Sequence, residues 1–334
     1  MAQSGPQTPA QVVTVGHAIV DVLAPVADEL VAGLGLEKGT MTLVDHDRSE
    51  LIHAALGATT VIAGGSAANT AVGLASFGVG ASFIGKVRDD ELGRGFAGGL
   101  AAAGVGYGVA PAQRGPGTGR CLIMVTPDAE RTMCTSLGIG DYVGPEDVDA
   151  AAVGAADVVY LEGYLCGLEH TTPTIEATLA AARQGGTTVA LSLSDPFWAE
   201  LHGAELAALI ERVDLLFGNA QEAMIITGAG DVRSATAELA KRCPTVVVTR
   251  GSEGATVAWD GRTVDVAARA VETVVDTTGA GDLFAAGFLA GWVRGLSPER
   301  AAALGALAAA EVISHFGARP EASLVALAAQ HGEG

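Results

Sequence analysis

The turn from Asp276 to Asp282 (Asp-Thr-Thr-Gly-Ala-Gly-Asp) combines the residue types that phosphoryl transfer requires. The β-branched run at 271–275 predicts the end of a strand, and the apolar stretch after Asp282 predicts a buried helix. Gly279 and Gly281 allow backbone conformations that a side chain would block. The first turn of the helix would offer free N–H groups to an anion, and Asp282 would offer a base to an attacking hydroxyl. A plain helix cap is the alternative, because Asp is favoured at the N-terminus of any helix.

Polar side chains also follow two other predicted strands. The strand at 12–15 leads into His17 and Asp21, and this order would put Asp21 at the C-terminal edge of a sheet, where α/β proteins bind ligands. The glycine pair at 64–65 would let a ligand approach the backbone, with Asn69 in the first turn of the next helix. Each stretch alone also fits a structural role, either a solvated acid at a strand end or a tight connection.

The elements that must position these residues are an alternating series of strands and helices. From residue 145 onward, four strand patterns alternate with helical patterns. This alternation predicts an α/β fold with a mostly parallel sheet that is covered on both faces. Strand patterns at 36–45 and 118–136 predict a small flap, the second of them as a hairpin. Residues 1–11 are polar with two prolines, so we expect a disordered tail there.

Composition and missing motifs argue against several other classes of protein. The net charge of −19 opposes nucleic-acid binding, which normally requires a basic surface. The chain lacks an apolar run of about 18 residues with convincing flanks, so we expect no membrane span. A near match to a phosphate-binding P-loop at 80–87 fails because Val87 stands where Ser or Thr would bind Mg²⁺, and the dinucleotide-binding pattern G-x-G-x-x-G is missing. Four scattered cysteines without a C-x-x-C pair predict free thiols in a reducing cytoplasm.

Several motifs, in sequence order, resemble the ribokinase-like, or phosphofructokinase-B, family of carbohydrate and nucleoside kinases. They are Gly64-Gly65 with Asn69, the N-x-x-E motif of Asn219 and Glu222, the T-x-G-x-x-G loop of Thr249, Gly251 and Gly254, and the turn ending at Asp282. The resemblance extends from about residue 12 to residue 320. It implies a three-layer α/β/α kinase domain over 12–330, with a small β-sheet lid inserted at about 36–45 and 118–136.

The resemblance also implies a role for each matching residue. The catalytic group is Asp282 as the base, the N–H groups of Gly279, Ala280 and Gly281 as an anion hole, and Arg131 on the transferring phosphate. The acceptor-binding group is His17, Asp21, Gly64, Gly65, Ser66, Asn69 and Tyr164. The ATP-binding group is Asn219, Glu222, Thr249, Gly251 and Gly254, with Glu222 also holding Mg²⁺ through water. A monovalent cation such as K⁺ would be held by Asp276, Thr278, Val312, His315 and Gly317.

The acceptor implied by the resemblance is a nucleoside. Segments 158–164, 191–197 and 213–219 look most like those of the adenosine kinases in this family, which implies conversion of adenosine and ATP to AMP and ADP in the cytoplasm. A monomer or a homodimer is expected. A sugar, inosine or guanosine is the alternative acceptor. A nucleoside-binding sensor is the alternative outside enzymes, although a pure binder has no use for a base such as Asp282.

Two residues depart from the adenosine kinase pattern. Adenosine kinases usually have Asn at the position of His17, and many of them have Asn at the position of Thr278. His17 is either a satisfied polar neighbour of the ribose site or the mark of a changed nucleoside preference. Tyr164 and Phe197 are candidates to stack on a purine, and the alternative for both is a place in the core.

Overall fold

The computed structural model of the protein describes residues 10–128 and 130–333 and contains two β-sheets with helices packed against them. Its strands are β1 (Val12–Val15), β2 (Ile19–Pro25), β3 (Met41–Leu43), β4 (Thr60–Ala63), β5 (Ala81–Ile84), β6 (Gly106–Tyr107), β7 (Gly119–Val125), β8 (Arg131–Ser136), β9 (Val158–Glu162), β10 (Thr188–Ser192), β11 (Leu215–Asn219), β12 (Thr245–Thr249), β13 (Ala255–Trp259) and β14 (Arg262–Val266). Its α-helices are α1 (Asp28–Gly33), α2 (His46–Ala55), α3 (Ser66–Ser76), α4 (Glu91–Ala102), α5 (Ala150–Ala155), α6 (Thr172–Gly185), α7 (Pro196–Leu201), α8 (Gly203–Ile210), α9 (Ala220–Thr227), α10 (Val232–Leu239), α11 (Ala280–Trp292), α12 (Pro298–Val312) and α13 (Leu324–Gln330).

The large sheet has nine strands in the order β14-β13-β12-β11-β10-β9-β1-β5-β6. All neighbours from β12 to β6 pair in parallel, and only β13 and β14 add antiparallel strands at one edge. Its central strands are continuous apolar runs, because helices cover both faces and leave no polar side for the strand to present. The β1 sequence Val-Val-Thr-Val, buried throughout, is an example. The expected three-layer α/β/α architecture is confirmed.

Two apolar clusters fill the space between the sheet and its helices. One cluster holds side chains from α3, α4, α11, α12 and α13, and the cluster on the opposite face holds side chains from α5 to α10. The helix α11 is buried from Leu283 to Gly291, which agrees with its nearly uniform apolar sequence. It lies very close to α12, since a Cβ added at Gly287 would stand 2.4 Å from the Leu304 carbonyl oxygen.

The small sheet has five strands in the order β3-β8-β7-β2-β4. The helices α1 and α2 cover one face around Val31, Ile52 and Met124. The other face carries Ile19 and Ile123 and lies toward the large sheet. The strands β3, β7 and β8 arise from the two segments predicted for the lid, whereas β2 and β4 were not anticipated. β2 begins only four residues after β1 ends, and a connection this short does not indicate that the two strands belong to different sheets.

The N-terminal boundary differs slightly from the expectation. Residues 1–9 of the predicted tail lie outside the described residues. Gln11, however, forms backbone hydrogen bonds on both sides. Its N–H donates to the carbonyl of Gly80, just before β5, at 2.8 Å, and its carbonyl accepts from the N–H of Val158, in β9, at 3.1 Å. The hydrogen-bonded part of the chain therefore includes Gln11. Among the described residues, no helix has both the length and the apolar character needed to span a bilayer.

The predicted strand at 271–275 was wrong. These residues have no strand assignment, and Val274 and Val275 are exposed. The Val275 N–H instead donates to the Ile313 carbonyl at 2.8 Å, at the end of α12. A β-branched run forms a strand only where a neighbouring strand can pair with it, and at this position the neighbour is a helix terminus.

The contact between α11 and α12 predicts the effect of adding one methyl group. Gly287→Ala should destabilise the protein by about 1–3 kcal/mol, because the new Cβ would overlap the α12 backbone at Leu304. Gly98→Ala is the matched control, since Gly98 is an exposed residue within α4 with open space around it. The control should raise the free energy of unfolding by about 0.4–1 kcal/mol. Urea denaturation measures both, and equal midpoints for the two variants would contradict this packing.

Candidate active site

A cleft of about 430 Å³ lies between the C-terminal ends of the large sheet's strands and the inner face of the small sheet. Most of the predicted site residues meet there. Those that line it are His17, Asp21, Gly65, Ser66, Asn69, Tyr164, Asn219, Glu222, Thr249, Thr278, Gly279, Ala280, Gly281 and Asp282. The others do not line it, namely Gly64, Arg131, Gly251, Gly254, Asp276, Val312, His315 and Gly317.

Asp282 lies in the first turn of α11, where two residues of α3 hold its carboxylate. The Ser66 hydroxyl donates to Oδ1 at 2.7 Å, and the Asn69 side-chain amide donates to Oδ2 at 3.0 Å. Burial raises the pKa of Asp282 to about 6, although the two hydrogen bonds oppose that rise. The carboxylate is therefore fixed in position and has a pKa close to that of an effective general base at neutral pH.

Two glycines with positive φ angles let the chain enter α3 and α11 beside the cleft. Gly65 precedes α3 with a φ of 88°, and Gly279 precedes α11 with a φ of 77°. A Cβ at Gly279 would also stand 2.6 Å from the Ala318 Cβ. The N–H of Ala280 donates to the Thr277 carbonyl at 3.2 Å, so in this structure it is engaged within the turn. The N-terminal end of α11 faces the cleft, where its dipole favours an anion.

Arg131, at the start of β8, joins the small sheet to the turn before α11. Its Nη1 donates to Asp276 Oδ1 and to the Thr278 hydroxyl oxygen, both at 2.8 Å. Asp276 also accepts from the Thr278 N–H at 2.9 Å and from the Gly317 N–H at 3.1 Å. Burial alone would raise the pKa of Asp276, but the hydrogen bonds from Arg131, Thr278 and Gly317 outweigh it and hold the pKa at about 2.

This network bears on the predicted monovalent-cation site. Gly317 contacts Asp276 through its N–H rather than its carbonyl, and the positive charge beside Asp276 is that of Arg131. His315 lies close to Glu311, with Nε2 at 3.4 Å from a carboxylate oxygen. Within 10–128 and 130–333, no three His, Cys, Asp or Glu side chains cluster in a way that could hold a metal ion. The cation site at these residues stays a prediction.

Asp21 lies within β2 of the small sheet, and not in a loop after β1 as expected. Since alternate residues of a strand point to the same side, Asp21 faces the cleft together with Ile19. A Cβ at Gly64 would stand 2.5 Å from Asp21 Oδ2, so the glycine leaves room for the carboxylate. Burial raises the pKa of Asp21 to about 7, Arg319 opposes this rise, and the charge of Asp282 adds to it.

Asn219 and Glu222 form a reciprocal cap at the start of α9. The Glu222 N–H donates to Asn219 Oδ1 at 2.9 Å, and the Asn219 N–H donates to Glu222 Oε2 at 2.8 Å. Burial raises the pKa of Glu222 to about 7, and the nearby Asp195 carboxylate adds to this rise. Asp195 also lines the cleft, although the sequence did not single it out. A buried and a half-buried acid close together are chemically suited to a hard cation.

The loop after β12 brings only Thr249 to the cleft. Gly251 and Gly254 shape the turn into β13, with φ angles of 57° and 92°. A Cβ at Gly254 would stand 2.0 Å from the Val266 carbonyl oxygen, so that position must be glycine for backbone packing. Their role beside ATP stays a prediction.

The inner face of the small sheet forms an apolar wall of the cleft. The wall consists of Ile19, Met41, Leu43, Cys121, Met133 and Leu137. Opposite it, Tyr164 lines the cleft with its ring edge against Trp198, at 5.6 Å between ring centroids. Phe197 does not line the cleft and is 44% exposed, so the expectation that it could meet a purine there was wrong. As the second residue of α7 it points outward, and Trp198 turns inward instead.

Two charged residues that support the site were missed by sequence reasoning. Glu162, at the end of β9, accepts hydrogen bonds from the backbone and ring of His17. Arg319 donates through Nε to Asn69 Oδ1 at 3.4 Å and opposes the raised pKa of Asp21. The only signal in the sequence was a charged residue in an otherwise apolar stretch for Glu162, and a short Gly-Ala-Arg-Pro segment for Arg319.

This fold, with a glycine turn and an aspartate at the head of a buried helix facing a lidded cleft, is that of the ribokinase-like kinases. The family model described as pfkB family carbohydrate kinase matches residues 10–323. The chain belongs to that family and is a phosphotransferase of the kinase class.

Solved structures and curated relatives include both nucleoside and sugar kinases. The structure of adenosine kinase from Sinorhizobium meliloti superposes with a TM-score of 0.91 and 40% sequence identity, covering 97% of this chain and 100% of that one. A probable sugar kinase protein from Rhizobium etli CFN 42 gives a TM-score of 0.92 and 39% identity, covering 98% and 100%. The curated adenosine kinase of Saccharomyces cerevisiae is 28% identical over 334 aligned positions, covering 92% of this chain and 96% of that protein.

The arrangement around Asp21 predicts the effect of removing the Arg319 charge. Arg319→Met should raise the pKa of Asp21 above its value of about 7, because the cation that opposes the rise is lost. Arg319→Lys should leave the pKa closer to the wild-type value. The pH dependence of the Asp21 carboxyl ¹³C resonance measures both. Arg94→Met, on an exposed ion pair with Asp89, is the control, and an Asp21 pKa that is the same in all four proteins would contradict the arrangement.

Proposed function

We propose that the protein transfers the γ-phosphoryl group of ATP to the primary 5′-hydroxyl of a nucleoside, with adenosine as the acceptor and AMP and ADP as the products. The adenosine kinases of Sinorhizobium meliloti and Saccharomyces cerevisiae support this acceptor, since the chain resembles both along nearly its whole length. We also propose that the enzyme acts in the cytoplasm and serves purine salvage.

The observation that carries the nucleoside proposal is the two-sided character of the cleft. One end is polar, where Asp21 of the small sheet comes together with Asn69 and Asp282, and this end suits a sugar with its hydroxyl groups. The other side is the apolar wall, which includes the thioethers of Met41 and Met133. A flat aromatic base would bury its faces against such a wall, and methionine sulfur interacts favourably with aromatic rings. A free sugar has no group that would use this surface.

The chemistry assigned to the polar side is proton removal and charge stabilisation. Asp282, oriented by Ser66 and Asn69, accepts the proton of the attacking hydroxyl as the bond to phosphorus forms. The N-terminal turn of α11, over Gly279 to Gly281, faces the transferring phosphoryl group. Asp21, beside Gly64 and Gly65, holds the vicinal ribose hydroxyls together with Asn69. Arg131 approaches the phosphoryl group from the small sheet, next to the turn that it already contacts.

The proposed ATP side of the cleft is the end of β11 and β12. Asn219, Glu222 and Asp195 offer oxygen atoms at this end of the cleft, and oxygen atoms are the ligands that Mg²⁺ prefers. These residues would hold Mg²⁺ through its water shell, and the bound ion would neutralise charge on the phosphates of ATP. Thr249 would border the ribose of ATP, and the small sheet would close over the acceptor and exclude water.

Replacing the base should separate catalysis from binding. Asp282→Asn should lower kcat by about 10²–10⁴-fold while nucleoside binding is largely kept, because the amide cannot accept the proton. In the wild type, kcat/KM should fall as the pH drops below about 6, since Asp282 becomes protonated in the free enzyme there. An ADP-release assay and calorimetric binding of the nucleoside measure the two effects. Asp260→Asn is the control, because Asp260 lies at an exposed turn with a positive φ that Asn also tolerates. Near-normal turnover in Asp282→Asn would refute the role of Asp282 as the base.

The acceptor is tested by comparing ADP release with adenosine, inosine, guanosine, cytidine, ribose and fructose 6-phosphate. Adenosine should give the highest kcat/KM, because it combines a primary hydroxyl with a base that fits the apolar wall. Met133→Lys, which would place a charge on that wall, should raise the KM for adenosine much more than the KM for ATP. Turnover of a free sugar without turnover of adenosine would replace the proposal with the sugar-kinase function suggested by the Rhizobium relative.

A further inference from the structure

A buried His–Glu pair lies at the polar end of the cleft, and the proposed chemistry does not use it. His17 follows β1 and Glu162 ends β9, so the pair joins two adjacent strands of the large sheet. Each residue is only 2% exposed. Both line the cleft.

The carboxylate of Glu162 accepts hydrogen bonds from three N–H groups. Oε1 accepts from the His17 backbone N–H at 2.6 Å and pairs with His17 Nδ1 at 2.9 Å, and Oε2 accepts from the Ala67 N–H at 3.0 Å. The chain leaves room for this carboxylate, because a Cβ at Gly16 would stand 2.2 Å from Oε2. The same group thus fixes the start of α3 and the histidine ring.

The partners of Glu162 determine which ring nitrogen carries the proton. A carboxylate that already receives two backbone N–H groups acts as an acceptor, so Nδ1 of His17 must be the donor. In the neutral ring, Nε2 then carries a lone pair. Nε2 is buried and has no hydrogen-bond partner among the described residues. A buried polar atom without a partner costs about 1–3 kcal/mol, so a bound group that donates to it would be favoured.

The location of the pair indicates which part of an acceptor would reach it. The charge of Glu162 is close enough to Asp282 to raise the pKa of that carboxyl. The His17 carbonyl also lies beside Gly65, at 2.8 Å from where a Cβ would stand. His17 therefore lies beside the polar residues of the cleft, to which the proposed function assigns the sugar.

We propose that His17, held by Glu162, is a specificity-determining residue whose Nε2 accepts a hydrogen bond from a hydroxyl of the sugar portion of the acceptor. The inference rests on the proposed function for the identity of the acceptor, but the proton position in the free protein does not depend on it. Glu162 is the positioning residue of the pair.

The proton position is tested first in the protein without ligand. The ¹⁵N resonances of the His17 ring, assigned by comparison with His17→Asn, should show a protonated Nδ1 and an unprotonated Nε2. Glu162→Gln should disturb this arrangement, because its amide group would bring a donor to one of the three N–H groups. A wild-type ring with a protonated Nε2 and an unprotonated Nδ1 would overturn the inference.

Ligand titration is the second test. Adenosine should shift the Nε2 resonance in a saturable way. A shift with ribose but not with adenosine would support the inference and refute the nucleoside proposal. Failure of the inference can therefore be distinguished from failure of the proposed function. An Nε2 resonance that neither compound moves would overturn the inference.

A cycle of variants and deoxy analogues locates the bond. For wild type, loss of the hydroxyl that contacts His17 should weaken binding about tenfold, the value of one hydrogen bond to a buried acceptor. We compare adenosine with its 2′-deoxy and 3′-deoxy forms by calorimetry. In His17→Leu the penalty for one of these analogues should be about tenfold smaller than in wild type, because only the proposed contacts with Asp21 and Asn69 remain. In His331→Leu, at an exposed histidine after α13, both penalties should equal those of wild type. Unchanged penalties in folded His17→Leu would overturn the inference.

Discussion

The close packing of α3 against α11 is the constraint on which the rest of the site depends. A Cβ at Gly73 would stand 2.6 Å from Ala286 Cβ and 2.7 Å from Leu283 Cδ1, so only glycine lets the two helices approach so closely. This contact brings the N-terminal turns of both helices together, and with them the donors of α3 to Asp282, which is more than 200 residues away in the chain. A carboxylate held by two neutral donors, as Asp282 is, keeps its position without a neighbouring cation that would lower its basicity, which suits the base proposed for it.

The positive charges of the site are local, although the chain is strongly acidic. The net charge is −19, yet Arg131 and Arg319 lie beside acids of the site, and the N-terminal end of α11 faces the cleft. The acids of the cleft differ in pKa because their partners differ. Asp276 has a cation and several N–H donors and is held at about 2, whereas Asp282 has only neutral donors and stays at about 6. Asp276 therefore stays ionised near neutral pH and keeps its hydrogen bonds, whereas Asp282 can exchange a proton there.

Sequence reasoning succeeded where a single local rule decided the outcome. Buried apolar strands with alternating helices predicted the parallel sheet, and the motifs at the strand ends, together with the family resemblance, predicted fourteen of the residues that line the cleft. It failed where tertiary partners decided. The run at 271–275 has strand propensity but meets the end of α12. Asp21 lies in the small sheet because β2 follows β1 after only a few residues. Phe197 is exposed while its neighbour Trp198 is buried, because successive residues of a helix point in different directions. Glu162 and Arg319 could not be found, since their importance lies in contacts with distant residues.

The two departures from the adenosine kinase pattern have different physical contexts. Thr278 retains a local function, because its hydroxyl and N–H both donate to Asp276 and its oxygen accepts from Arg131. His17 depends on a partner, because a buried histidine needs an acceptor for its Nδ1–H, and Glu162 provides that acceptor. Glu162 in turn needs the glycine at position 16 and the N–H of Ala67. His17 therefore differs from Asn as part of a set of residues that pack together, and the proposed contact with the acceptor depends on the whole set.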